Sequence, residues 1–531
     1  MVKIYDTTLR DGSQSYGVSF SLEDKIKIAR ALDDFGIHFI EGGWPGSNPK
    51  DEIFFNHARK NMRLKNAEIV AFGSTRYKGN AARNDPNLQS IVRAKTKTAC
   101  IFGKTWDLHV VHALRTSLEE NLKMIEDSIR YLRQKGLRVI YDAEHFFDGF
   151  RANREYALKT LEAASGAGAF NITLCDTNGG TLPDELREII RTVKKYAKTP
   201  LGIHAHNDSE CAVANSLVGV AEGAVLVQGT INGIGERCGN ANLCSIIPNL
   251  SIKSGIDTIP QDKLKTLTEL SRYFSEIANI SPDDKQPYVG SSAFAHKGGV
   301  HVSAMARHTG TYEHISPSIV GNERRILVSE LSGKSNILMK AKELMIDFEK
   351  DKDATEKIIS AIKKLEHQGY QFEDADASFA LSAHRAIGRY KPFFELKGFR
   401  VIVEKDAKTG RMHSEATIKV AVEDVEEHTA SDGDGPVNAL DNALRKALEK
   451  FYPEIREMSL MDFKVRVINA NAGTGAKVRV LIESRDRKDS WGTIGVSENI
   501  IEASWQAMVD AVEFKLFRER AKNKKPRGRK N

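Results

Sequence analysis

The sequence predicts an α/β chain: a (β/α)8 TIM barrel, then a helical subdomain, then a C-terminal α+β domain with an internal duplication. Three observations carry this. Short apolar runs alternate with helical-period stretches over roughly the first 250 residues, the size of one such barrel. The reactive side chains fall at one end of those runs. After residue 399 the texture changes to strands followed by a helix, and the pattern recurs once.

Eight runs read as strands: 2–9, 37–43, 68–74, 98–105, 138–144, 170–177, 201–206 and 224–230. Between them, helical periodicity is clearest over 21–35, 118–135, 154–167, 184–197 and 210–221. Eight repeats favour a closed barrel, since an open doubly wound sheet usually stops nearer six strands. Arg10 and Asp11 follow the first strand and Glu41 ends the second. Asp142 and Glu144 end the fifth, Asp176 and Thr177 the sixth, His204 and His206 the seventh, and Glu236 to Asn240 follow the eighth. Polar groups at strand C-termini mark the face where such barrels assemble an active site.

The domains expected are a barrel over 1–259, a helix-rich subdomain over 260–392, the duplicated domain over 393–517 and a tail over 518–531. Two strand–strand–helix units make the duplication: strands 399–404 and 416–422 before GDGPVNAL (433–440), then strands 463–469 and 477–483 before a second helix. The chain has 531 residues and a formal charge of +7. The tail, RERAKNKKPRGRKN, holds eight basic residues and one acid, so the preceding residues are neutral. A solvated, disordered tail accounts for the charge, and no groove-binding motif points to nucleic acid. No apolar run approaches the roughly 20 residues of a membrane span. Five cysteines without metal-ligand spacing fit a reducing compartment. MVKIYDTTLRDG enters a strand pattern at once, without a charged and then apolar leader, so the expected location is the cytoplasm.

In HAHND (204–208) the histidines stand at i and i+2, so on a strand both project from one face and can bind one metal ion. Packed core histidines would show the same spacing. Asp11 at another strand end adds a carboxylate, and the three together leave positions open on a divalent cation. A 2-oxo acid suits such a site, because its keto oxygen and carboxylate can chelate the ion. Arg10 stands beside that carboxylate, where its charge could stabilise a developing alkoxide. A plain salt bridge is the other reading of Arg10. Thr177 offers a hydroxyl to a substrate carboxylate, and Glu144 and Glu236 are candidate bases or orienting groups.

DTTLRDGSQ (6–14), HAHND and GIGERCGNANL (233–243) resemble the signatures of the DRE-TIM metallolyases. More narrowly they resemble the Claisen-condensing branch, the 2-isopropylmalate, homocitrate and citramalate synthases. FAHKGGVHVSAM (294–305) resembles that branch's subdomain motif, and the duplicated unit with GDGPVNAL its regulatory, effector-binding domain. The resemblance implies condensation of acetyl-CoA with a 2-oxo acid, followed by thioester hydrolysis. It implies a divalent metal, Mn, Mg, Zn or Co, on Asp11, His204 and His206, with Asn240 completing or supporting the site. Arg10, Asp11 and Thr177 would bind the oxo acid and Glu144 would act as base. His301 and Tyr312 match positions that in this branch reach the active site from the partner subunit of a homodimer.

EGGWPGSNPKDEIFF (41–55) and LCDTNGGTLP (174–183) resemble a citramalate synthase subgroup, whose oxo acid is pyruvate. Trp44, Phe72 and Phe102, near strand ends, could narrow the pocket to a methyl group, or could simply pack between barrel and helices. Asp142, two residues before Glu144, is an unusual neighbour for an apolar pocket and is counted with the substrate-binding residues. A 2-isopropylmalate or homocitrate synthase, or a metal-dependent lyase or aldolase on the same barrel, are the alternatives. The effector implied is a branched-chain amino acid, isoleucine before leucine.

Overall fold

The structure is a computed structural model that describes residues 1–326, 352–468, 473 and 475–524. β1 (Lys3–Asp6), β2 (Phe39–Gly43), β3 (Glu68–Ser74), β4 (Thr98–Lys104), β5 (Arg138–Glu144), β6 (Asn171–Asp176), β7 (Leu201–Ala205) and β8 (Leu226–Gly229) form a closed barrel in sequence order. All neighbours are parallel, and β8 closes on β1 with Lys3 opposite Leu226 and Asp6 opposite Gly229. Strands such as β6 and β7 are buried along their whole length, as expected of a parallel sheet covered on both faces. The first and last strands are shorter than expected, because Thr7–Gly12 and Thr230–Gly233 leave the ladder for turns.

Local chemistry starts and stops the barrel helices. Ser21 and Asp24 form a reciprocal capping box at the start of the helix Leu22–Phe35, and Gly36, at φ 101°, ends it. Ser117 caps Leu118–Gln134 and Asn153 caps Arg154–Gly166. Two further barrel helices, Pro49–Asn61 and Pro86–Ala94, open on a proline behind an Asn or Asp cap.

The chain divides into two compact units. The first comprises Met1–Phe294 and Ile315–Arg324, so it runs past the expected boundary at 259. The helix Leu267–Ala278, expected in the linking subdomain, belongs to it: Phe274 meets Phe20 edge-on at 6.0 Å, and Thr268 Oγ1 donates to Val320 O at 2.7 Å.

The second unit comprises Ala295–His314 and the chain from Arg325 onward. β9 (Ala295–His296) pairs in parallel with β10 (Arg325–Ile326). The helices Lys352–His367 and Asp376–Ala386 pack around Ile358, Ile362, Phe372 and Phe379. The rest of the expected helical subdomain, 327–351, lies outside the described residues. β11 (Glu395–Lys405), β12 (Met412–Val422) and β13 (Val425–Gly433) precede the helix Pro436–Leu448. β14 (Ser459–Val467), β15 (Val478–Arg485) and β16 (Ser490–Ser497) precede the helix Ile500–Lys524. Each repeat is thus β-β-β-α, where two strands were expected. β13 is a polar edge strand, VEEHTASDG, and β16 is a Gly-bearing one, SWGTIGVS, so neither carries a clean apolar alternation. Both repeats fill one core, with Ile418, Leu440 and Leu444 from the first and Val480, Ile482 and Met508 from the second.

The last helix runs through Lys524, so residues 518–524 are helical where a disordered tail was expected; 525–531 lie outside the described residues. Among the described residues no helix is long and apolar enough to cross a membrane.

Candidate active site

The turn after β1 holds the first two site residues over the barrel mouth. Asp6 accepts from the amide of Thr8 at 3.0 Å and from its hydroxyl at 2.8 Å, a local bond that stops the strand. The amides of Arg10, Asp11 and Gly12 then all donate to Thr7 O, at 3.1, 2.9 and 3.2 Å. Arg10 leaves this turn braced on three sides. Its Nε donates to Glu41 Oε1 at 2.6 Å, its guanidinium lies 3.6 Å from Asp11, and it covers the Phe72 ring at 3.9 Å. Burial opposes its charge, but Asp11 and Glu41 more than reverse that and hold the guanidinium protonated. Glu41 is fully buried, takes a second bond from the Tyr5 hydroxyl at 2.7 Å, and has its pKa raised by that burial against the pull of Arg10.

Asp11, His204 and His206 converge, all three buried, with one ligand atom of each lying within 4.8 Å of the others. His204 Nε2 is 3.5 Å from Asp11 Oδ2 and 3.2 Å from His206 Nε2. Burial works against the Asp11 carboxylate, yet Arg10 and the two histidines keep its pKa below the usual range. Burial and the neighbouring His204 push His206 down to about 3, so its imidazole is neutral near pH 7. Asn240 hydrogen-bonds Asp11, and its Oδ1 is buried with no hydrogen-bond partner among the described residues. His206 pairs across to Asn240 as an isolated bridge, which ties the loop after β7 to the loop after β8. Gly235 makes this possible: a Cβ there would stand 2.0 Å from Asn240 Nδ2. One carboxylate, two imidazoles and an orphaned amide oxygen fit a divalent cation.

The other expected residues separate. Glu144, at the end of β5, is ion-paired with Lys104 at the end of β4, a partner that sequence reasoning missed. Thr177 Oγ1 accepts from the amide of His145 at 2.8 Å, where His145 takes a left-handed φ of 57°. Its hydroxyl proton remains available to a ligand. Asp142, counted among the substrate-binding residues, is instead 5% exposed and engaged inside the barrel: its Oδ1 accepts from Gln228 Nε2 at 2.8 Å, and Cys100 also bonds it. Burial raises its pKa. Gln228 in turn faces His204 Nδ1 at 2.9 Å. Nothing in the sequence motifs marked Gln228.

Glu236, a candidate base, is exposed on its loop, unlike the buried Asp11 and histidines. Its neighbour Arg237 does the structural work there, binding Asp208 at 2.8 Å and Thr177 O at 2.7 Å. Trp44, Phe72 and Phe102 pack on one another, with centroids 5.5 to 5.9 Å apart, directly beside Arg10. His301 and Tyr312 belong to the second unit, where their rings stack at 4.1 Å.

The barrel, its rim chemistry and the duplicated C-terminal repeats agree with three family matches. Residues 1–273 match the HMGL-like family, 288–370 the homocitrate synthase post-HMGL domain-like family, and 373–516 the LeuA allosteric (dimerisation) domain. The chain belongs to the HMGL-like family. Within it, the chain is 59% identical over 518 residues to the (R)-citramalate synthase of Geobacter sulfurreducens, covering 98% of both chains. It is 57% identical over 519 residues to the (R)-citramalate synthase of Aquifex aeolicus, again covering 98% of both. The 2-isopropylmalate synthase of Methanocaldococcus jannaschii is more distant, at 32% identity over 524 residues, 98% of this chain and 96% of that one.

Proposed function

We propose that this chain condenses acetyl-CoA with pyruvate to give (R)-citramalate and CoA, the first step of a pyruvate route to 2-oxobutanoate and isoleucine. The observation that carries the reading is the end-to-end likeness to chains named (R)-citramalate synthase, with Arg10, Asp11, Glu144, Thr177, His204 and His206 gathered on one barrel face.

Asp11, His204 and His206, with Asn240 beside them, would hold a divalent cation, which when bound supplies Lewis acidity to the keto oxygen. Thr177 donates its hydroxyl proton to the pyruvate carboxylate. Glu144, oriented by Lys104, accepts a proton from the methyl group of acetyl-CoA. The enolate carbon so formed bonds to the keto carbon of pyruvate. Charge grows on the former keto oxygen, and Arg10, already fixed by Glu41 and Phe72, stabilises it without having to reorganise. Water then cleaves the thioester and releases CoA. The Trp44–Phe72–Phe102 triangle fills space next to Arg10 and limits the oxo acid to a small side chain.

The chain works as a homodimer in which His301 and Tyr312 complete the partner's site. Isoleucine, before leucine, is the inhibitor bound by the C-terminal repeats; the match of 373–516 to the LeuA allosteric (dimerisation) domain supports a dimer with an effector site. A thiol-release assay with acetyl-CoA tests the reaction against pyruvate, 2-oxobutyrate, 2-oxoisovalerate and 2-oxoglutarate. Pyruvate is the preferred acceptor; preference for 2-oxoisovalerate or 2-oxoglutarate overturns the assignment. Adding isoleucine to the same assay lowers the rate, and an unchanged rate refutes the effector. Deletion is a poor test of that domain, because a cut at Gly398 falls inside β11 and strands the helix Asp376–Ala386, whose Ser378 and Arg385 bond Asp510 at 2.6 and 2.8 Å.

A further inference from the structure

We infer that a one-way hydrogen-bond relay, from Asn171 through Thr173 to Gln228, locks His204 in its Nδ1–H tautomer and aims Nε2 at the cation. Gln228 is therefore a positioning residue. The inference rests on the reading of Asp11, His204 and His206 as a metal site.

Each link has its direction forced by the one before. The Pro200 carbonyl can only accept, and Asn171 Nδ2 stands 3.0 Å from it, so Asn171 Oδ1 faces the other way. That oxygen takes the single proton of the Thr173 hydroxyl at 3.1 Å. Thr173 Oγ1 can then only accept, and Gln228 Nε2 lies 3.3 Å away. The second hydrogen of Nε2 goes to Asp142 Oδ1 at 2.8 Å. Gln228 is left with its oxygen toward His204 Nδ1, at 2.9 Å, and an amide oxygen demands a proton there. His204 Nε2 keeps its lone pair, on the side of Asp11 and His206. A histidine that ligates a cation through one nitrogen is commonly fixed in this way through the other.

The relay crosses the barrel interior from β6 to β8, past the intervening β7. Room exists because β7 carries Gly202 at that level. A Cβ on it would stand 2.8 Å from both Asn171 Oδ1 and Thr173 Oγ1. Asn171, Thr173 and Gln228 are 2%, 0% and 0% exposed, so no bulk water competes for their bonds. The same geometry gives Asp142 its work: it holds the amide of Gln228 and touches the cation site only through that residue.

The test is Mn2+ binding to the full-length protein by calorimetry, with no substrate present. Gln228→Met keeps the volume and removes the polarity; affinity falls about 10- to 100-fold, while the thermal midpoint shows the chain still folded. Gln228→Glu combined with Asp142→Asn restores an acceptor for Nδ1–H at unchanged net charge and recovers affinity. Wild-type affinity in Gln228→Met overturns the relay. Should that variant not fold, a 15N-histidine spectrum of the metal-free wild type decides, with His204 assigned by its loss in His204→Asn. A protonated Nδ1 supports the relay and a protonated Nε2 overturns it. Failure of the wild type itself to bind Mn2+ sinks the metal reading instead, and the two failures stay distinct.

Discussion

Arg10→Met removes the side-chain cation that bonds Glu41 and keeps an apolar stem against Phe72. Glu41 is then a fully buried carboxylate whose remaining side-chain bond is from the Tyr5 hydroxyl. Breaking a buried pair from one side costs about 3–5 kcal/mol. At about 2 °C per kcal/mol for a domain of this size, the thermal midpoint drops by roughly 6–10 °C near neutral pH. The drop depends on pH with a definite sign. Burial already raises Glu41 above its ordinary 4.5, and without Arg10 it rises further. The folded variant takes up a proton there that the unfolded chain releases, so its deficit is smaller at acid pH than at mildly alkaline pH. Melts followed by circular dichroism at the two pH values read this directly. Turnover in the thiol-release assay falls about 10²–10³-fold, the usual cost of losing one donor to a developing oxyanion. An equal midpoint drop at both pH values would refute the claim that Arg10 pulls the Glu41 pKa down against its burial, and near-normal turnover would remove Arg10 from the chemistry.

Three further outcomes are expected. Glu144→Gln keeps the Lys104 contact and the melting midpoint but lowers kcat about 10²–10⁴-fold; a change in KM alone excludes it as the base. Gly235→Ala displaces Asn240, since the new Cβ would sit 2.0 Å from its amide nitrogen, and Mn2+ affinity drops about tenfold; unchanged calorimetric affinity places Asn240 outside the cation site. In the C-terminal domain, buried Lys515 binds Asp486 at 2.7 Å, and that bond, with backbone amides, outweighs the cost of burial and keeps Asp486 below its ordinary 3.8. This support is present above pH ~4 and is lost in acid. Urea midpoints of wild type and Lys515→Met, read by tryptophan fluorescence, therefore differ at neutral pH and converge below pH ~4; a constant gap contradicts the pairing.

The barrel and the convergence of Asp11, His204 and His206 were legible because each rests on short-range pattern. Asp11 sits in a turn whose bonds span a few residues, and His204 and His206 share a strand face by their spacing alone. Gln228 was invisible for the opposite reason. Its partners His204, Thr173 and Asp142 lie 24, 55 and 86 residues away, and a lone amide in LVQG marks nothing by itself. Lys104 ends its strand as the expected rim residues end theirs, so the same rule could have found it. Asp142 was read as facing substrate because strand parity places it with Glu144, and parity does not reveal a bonded neighbour from β8. The missed strands β13 and β16 owe their place to pairing with β12 and β15, not to an apolar pattern of their own.

The shared core of the two C-terminal repeats has a mechanical consequence. Neither repeat closes a core by itself, so the pair melts as one cooperative body and neither half can loosen to accommodate a ligand.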